Sequence, residues 1–133
     1  MKKEHKDLLI ADLCGRLPYK VIVEFVSYKG EEKPWIGELS CKDLDCFMHD
    51  VGFIEIKPYL FPLSSMTEEQ YKEYNSLRDS VPTYFYEYGD IVEDVVLYDN
   101  FRSIDYLIAN HFDYRGLIPI GLAKDATGLN IYD

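Results

Sequence analysis

A chain of 133 residues that is 47% hydrophobic and 15% aromatic is long enough to pack one core and too apolar to be a disordered segment. Its formal net charge is −10 and its cations are scattered. That pattern disfavours nucleic acid, whose phosphates are bound by concentrated Lys and Arg.

No apolar run approaches the ~20 residues of a spanning helix, and Glu4, Asp7 and Asp12 interrupt any signal-peptide core behind the basic start. Three cysteines are an odd number for a disulfide framework and suit reduced thiols. The expectation is a cytoplasmic chain without membrane contact, organised as one domain over residues 1–133.

The first helix is predicted over Lys3–Cys14, with Leu8, Leu9, Leu13 and Ile10 toward the core. Gly15 suits a left-handed helix end and Pro18 blocks resumption. Val21–Val26 is β-branched and almost continuously apolar, the strongest strand signal. After a polar turn over Tyr28–Pro34, a second strand is predicted over Trp35–Cys41, with Gly37 a bulge or a close-approach site. A short third strand around Cys46–Met48 and a turn at Asp50–Gly52 lead into a strand over Phe53–Leu60. Pro58 and Pro62 lack an N–H, so this strand is expected to lie at an edge or to end there.

Thr67 and Gln70 have the spacing of a capping box, with Glu68 and Glu69 placed where the helix dipole favours acids. A helix follows, with Met66 and Tyr71 spaced as a hydrophobic staple and Tyr71, Tyr74 and Leu77 on one face. Beyond Pro82, Tyr84, Tyr86 and Tyr88 alternate as in a strand, and Gly89–Asp90 fits a hairpin turn. Ile91–Tyr98 returns as a strand, with a loop or short helix the alternative because Glu93 and Asp94 interrupt it. Asp99 or Asn100 then caps a helix over Phe101–His111 whose inward face is Ile104, Leu107, Ile108 and His111. Asp113 can cap one further turn before Pro119. The tail from Asp125 turns at Thr127–Gly128 and is expected to run over the surface. These elements define an α+β fold: a small antiparallel sheet, pictured as an SH3-like half-barrel, with an N-terminal helix and two or three others.

The segments I-K-P-Y-L-F-P-L-S-S-M-T-E-E-Q (Ile56–Gln70) and N-H-F-D-Y-R-G-L-I (Asn110–Ile118), with D-L-L-I-A-D-L-C-G-R-L-P-Y-K-V (Asp7–Val21), resemble an uncharacterised family of short proteins common in gut anaerobe genomes and their prophages. Tyr28–Asp50 matches least. The resemblance implies a prophage or mobile-element setting and one compact fold. It brings no assigned activity, cofactor or catalytic residue.

Cys41, Cys46 and His49 form C-x4-C-x2-H, looser than the paired spacings of a structural zinc site. A fourth ligand would have to come from Cys14, His5 or His111, and cysteines buried in strands are the simpler expectation. Cys14 near a helix end, and Cys41 and Cys46 beside Asp43 and Asp45, lack the electropositive surroundings of a thiolate nucleophile. Asp43–Asp45 and Glu93–Asp94 lack the converging oxygens that a hard cation needs. No phosphate-binding loop, dinucleotide fingerprint, nucleophile elbow or H-E-x-x-H is present, and no cofactor is expected.

Two functional expectations follow. The first is a non-enzymatic protein-interaction module. Between Asp79 and Phe101 the chain carries Asp79, Glu87, Asp90, Glu93, Asp94 and Asp99 with no Lys or Arg. Tyr84, Tyr86, Tyr88, Glu93 and Asp94 would form an aromatic, acidic contact surface, one form of which imitates nucleic acid on a basic site. The second is a small enzyme or ligand-binding domain around His111, Asp113 and Arg115, since a histidine beside a carboxylate begins an acid–base site. That reading requires the three side chains to converge on a pocket.

Overall fold

The computed structural model describes residues 2–28, 33–78 and 102–132. Helix α1 (Lys3–Arg16) runs two residues past its predicted end and buries Leu9, Asp12, Leu13 and Arg16 along one side. Gly15 is therefore helical rather than a left-handed terminator. A Cβ added there would lie 3.8 Å from Ile108 Cδ1, so the helix over residues 102–109 (α4 below) passes close by. The left-handed position falls instead on Lys20, φ 59°, after a 3-10 turn over Leu17–Tyr19 that holds Pro18 in its first turn.

Strand β1 (Ile22–Ser27) alternates, with Val23 and Phe25 buried and Glu24 half-buried on the other side, as a strand with one core-facing side must. Its antiparallel partner β2 (Trp35–Glu38) places Gly37 opposite Val23 and Trp35 opposite Phe25 in an unbroken register. Of the two readings of Gly37, close approach fits: a Cβ there would sit 3.5 Å from the Phe25 ring.

The third predicted strand is absent. Cys41–Met48 is helix α2, so the second strand stops at Glu38 and Cys46–Met48 is helical. The cause is local. Ser40 Oγ accepts the Asp43 N–H at 3.1 Å while Asp43 Oδ2 accepts the Ser40 N–H at 3.3 Å, a complete capping box that satisfies two groups helix initiation would orphan. Leu44 and Phe47 then point into the core.

Strand β3 (Phe53–Pro62) runs through both prolines and is central rather than marginal: the sheet order is β2-β1-β3-β4, with β5 also on β3. Its antiparallel ladder with β1 reaches Val23 opposite Pro58. Beyond that point β4 (Phe112–Asp113) and β5 (Lys124–Asp125) pair with its last four residues, both parallel. The fold is α+β, as expected, but the sheet is mixed and open, not an antiparallel half-barrel. Two-residue strands offer no alternation to read in a sequence, and a parallel pairing joins segments far apart in the chain.

Helix α3 (Glu68–Arg78) starts at the predicted box: Gln70 N–H donates to Thr67 Oγ1 at 3.2 Å and Thr67 N–H to Gln70 Oε1 at 2.9 Å. Tyr71, expected on the apolar face, is exposed. Residues 102–109 form helix α4, which buries Leu107 and Ile108. The core gathers Leu9 and Leu13 from α1, Phe25 from β1, Phe47 from α2, and Ile56 and Leu60 from β3. No helix among the described residues is long and apolar enough to cross a membrane. The predicted Tyr84–Tyr98 strand pair and the Asp99 or Asn100 cap lie outside the described residues.

Candidate functional site

His111, Asp113 and Arg115 flank β4 and go to three different partners. Asp113 is buried, and its carboxylate accepts the Leu117 and Ile118 amides, one on each oxygen, at 2.9 Å. Both oxygens are thereby engaged in holding the turn that follows, the capping role expected of it. His111 leaves α4 with φ 63°, and its ring lies flat on Tyr132, 3.6 Å between centroids and 11° between planes. Desolvation, and secondarily the Arg16 guanidinium, lower the His111 pKa from 6.5 to about 4, so the imidazole is neutral at ordinary pH. Arg115 Nε reaches the Tyr114 hydroxyl at 3.1 Å and stands 3.3 Å from Asp12 Oδ1.

Behind these residues is an interior polar group that sequence reasoning missed. Arg16 is fully buried; its Nε donates to Asp12 Oδ2 at 2.7 Å and its Nη2 to the Phe112 carbonyl at 2.7 Å. A buried guanidinium needs such partners, because desolvating a charge is costly unless it is paired and hydrogen-bonded. Arg16 Nη1 and His111 Nδ1 are buried without a hydrogen-bond partner. The available signal was the spacing Asp12-x3-Arg16, an i,i+4 pair on the same face as Leu9 and Leu13.

Tyr132 completes the arrangement. Its hydroxyl accepts the Ile22 N–H at 3.0 Å and donates to the Tyr59 carbonyl at 2.6 Å, bridging β1 and β3 just past Pro58, where their ladder ends. Burial pushes the Tyr132 pKa up to about 12. The tail therefore returns to the sheet through β5, Ala126 and Tyr132, while Thr127–Asn130 between them is exposed, as a surface turn there was expected to be. Lys124 in β5 adds an ion pair to Glu24 of β1 at 2.7 Å, and that bond raises the lysine's pKa. Chemically, both Asp113 oxygens are taken by amides and Asp12 Oδ2 by the Arg16 guanidinium, while Asp12 Oδ1 makes no hydrogen bond and faces Arg115 Nε at 3.3 Å.

The cysteines are not in strands. Cys14 and Cys41 are exposed on helices, Cys46 is half-buried, and all three are free thiols. Among the described residues no group of three or more His, Cys, Asp or Glu side chains could hold a metal ion.

Large apolar side chains are exposed on the outer strand of the sheet. At the β2 end of the sheet, Trp35 stacks on Phe25 at 5.2 Å and neighbours Phe53 at 6.0 Å, yet remains exposed. Ile36, the next residue along β2 and so on the opposite face, is 55% exposed, while Ile54, 50% exposed, lies on β3 with β1 between it and β2; Val51 and Tyr28 are exposed as well. The Tyr28 N–H donates to the Gly52 carbonyl, which joins the two turns. Among the described residues β2 pairs with β1 alone. Tyr84, Tyr86, Tyr88, Glu93 and Asp94, the predicted contact surface, lie outside the described residues. Comparison with protein-family models, with characterised proteins and with solved structures finds no match to this chain.

Proposed function

We propose that this chain is a non-enzymatic protein-interaction module, in the prophage or mobile-element setting that the resemblance of Ile56–Gln70 and Asn110–Ile118 implies. The observation that supports it is the pair of large exposed apolar side chains, Trp35 and Ile36, on the outer strand β2, which among the described residues pairs with β1 alone. Large apolar side chains at a strand with one neighbour offer both burial and backbone pairing to a partner. The Tyr84–Asp94 segment supplies aromatic anchors and negative charge to the same role. The enzyme alternative has less support, since His111, Asp113 and Arg115 each have their own structural partner.

A photo-crosslinking amino acid at position 36 or 86, in cells of the natural source, tests the proposal. The expected result is a discrete protein adduct at either position and none at Ile120, which is exposed but not on β2. Absence of any adduct at 36 and 86 overturns it.

A further inference from the structure

At the other end of β3, about 30 Å from Phe53 at the usual rise per residue, a cleft of about 200 Å³ is lined by Phe61, Ser65, Gln70, Asn110, Phe112, Thr127 and Gly128. Three stretches of the chain meet there: 61–70, from the end of β3 through the 3-10 turn over Leu63–Ser65 to the first turn of α3; 110–112 at β4; and the C-terminal turn at 127–128. None of the lining side chains is charged.

The polar groups are oriented by bonds to the protein. Gln70 Oε1 is held by the Thr67 N–H, which leaves the two Nε2 hydrogens to donate. Asn110 Nδ2 donates to the Tyr106 carbonyl at 2.9 Å, which leaves Oδ1 to accept. Ser65 Oγ donates to the Pro62 carbonyl at 2.7 Å, leaving its lone pairs. The Thr127 hydroxyl can do either. The half-buried Phe61 forms the apolar wall, with the buried Phe112 ring behind it, centroids 6.2 Å apart and planes inclined by 58°. Gly128, at φ 77°, has open space where a side chain would begin, which keeps that rim clear.

We infer that this cleft is a binding site for an uncharged, hydroxyl-bearing six-membered ring, a neutral monosaccharide or the terminal unit of a glycan. Among the described lining residues, a ligand phosphate or carboxylate would find no cation to offset its desolvation. Alternating donors and acceptors match hydroxyls, each of which both gives and receives a hydrogen bond. The one accessible ring, Phe61, makes a wall for the C–H face of a pyranose, and the described cleft lining holds no second parallel ring that would grip both faces of a flat base. The volume suits one such ring, not a nucleoside. Small-ligand sites combine an apolar wall with a few oriented polar groups in this way. The inference is independent of the β2 surface.

The test is an NMR titration of the full chain, following the Gln70 and Asn110 side-chain amides, with D-glucose, D-galactose, D-mannose and N-acetyl-D-glucosamine, and with uracil and inorganic phosphate for comparison. The expected result is saturable shifts of both amides with at least one sugar at millimolar concentration and none with phosphate. Gln70→Glu keeps an oxygen for the Thr67 N–H but removes the donors and should weaken that binding by about tenfold, the effect of one lost hydrogen bond. Thr127→Trp, at an exposed position, should block it without touching the cap. No saturable shift with any sugar, a preference for uracil or phosphate, or unchanged affinity in both variants would overturn the inference.

Discussion

The depressed pKa of His111 makes a single side chain visible in the stability of the whole protein. Its pKa is about 4 in the fold against about 6.5 unfolded. Above pH 6.5 the imidazole is neutral in both states and its full contribution is present. As pH falls from 6.5 toward 4, the unfolded chain takes up the proton first, so stability drops. The ring is only partly buried, and we expect a loss of about 2 kcal/mol over that window. His111→Asn tolerates the left-handed backbone and cannot titrate. Urea unfolding at pH 7.5 and 5 should show a fall in wild type that is smaller in this variant. Equal falls would mean that the histidine is not held neutral. The sequence suggested His111 as an inward residue near Asp113. It could not show that the partner would be Tyr132, twenty-one positions on, because stacking on a tail residue has no periodicity to betray it.

At the scale of elements, local chemistry decided what was legible. The Thr67–Gln70 box was readable because two residues three positions apart carry the whole interaction, and both bonds are present. The same kind of box at Ser40 and Asp43 was overlooked, because Trp35–Cys41 read as one strand, and α2 went unrecognised with it. The signal was there in S-C-K-D, with Leu44 and Phe47 three residues apart. Ser40→Ala should cost about 1 kcal/mol, the usual effect of losing a capping side chain. Hydrogen exchange of the α2 amides would show whether that cost is local. Pro58 misled in the opposite direction. A proline without an N–H is normally kept from a central strand, but here it falls where the β1–β3 ladder ends and the Tyr132 hydroxyl takes over the neighbouring groups. A side chain from the end of the chain supplied the exception, and nothing within the strand could announce it.

For the molecule as a whole, the last ten residues decide between two pictures of the fold. A surface tail could be removed at little cost. Here that segment contributes the β5 pairing with Tyr59 and Leu60, the Lys124–Glu24 ion pair, the buried Ala126 and the Tyr132 bridge between β1 and β3. Truncation after Ala123 would uncover Leu60 and the carbonyl that receives the Ala126 N–H, and would leave the Ile22 and Tyr59 backbone groups without their hydroxyl. Each stranded buried polar group costs about 1–3 kcal/mol, and lost apolar burial adds to that. The sum is comparable with the entire stability of a domain this size, about 5–15 kcal/mol. The truncated chain should therefore lose its cooperative thermal transition. Tyr132→Phe, which removes the hydroxyl and keeps the ring against His111, should retain the transition with a lower midpoint. Calorimetry of the two variants beside wild type separates these outcomes. A truncated chain that melts like the full one would mean that β1 and β3 hold together without the tail.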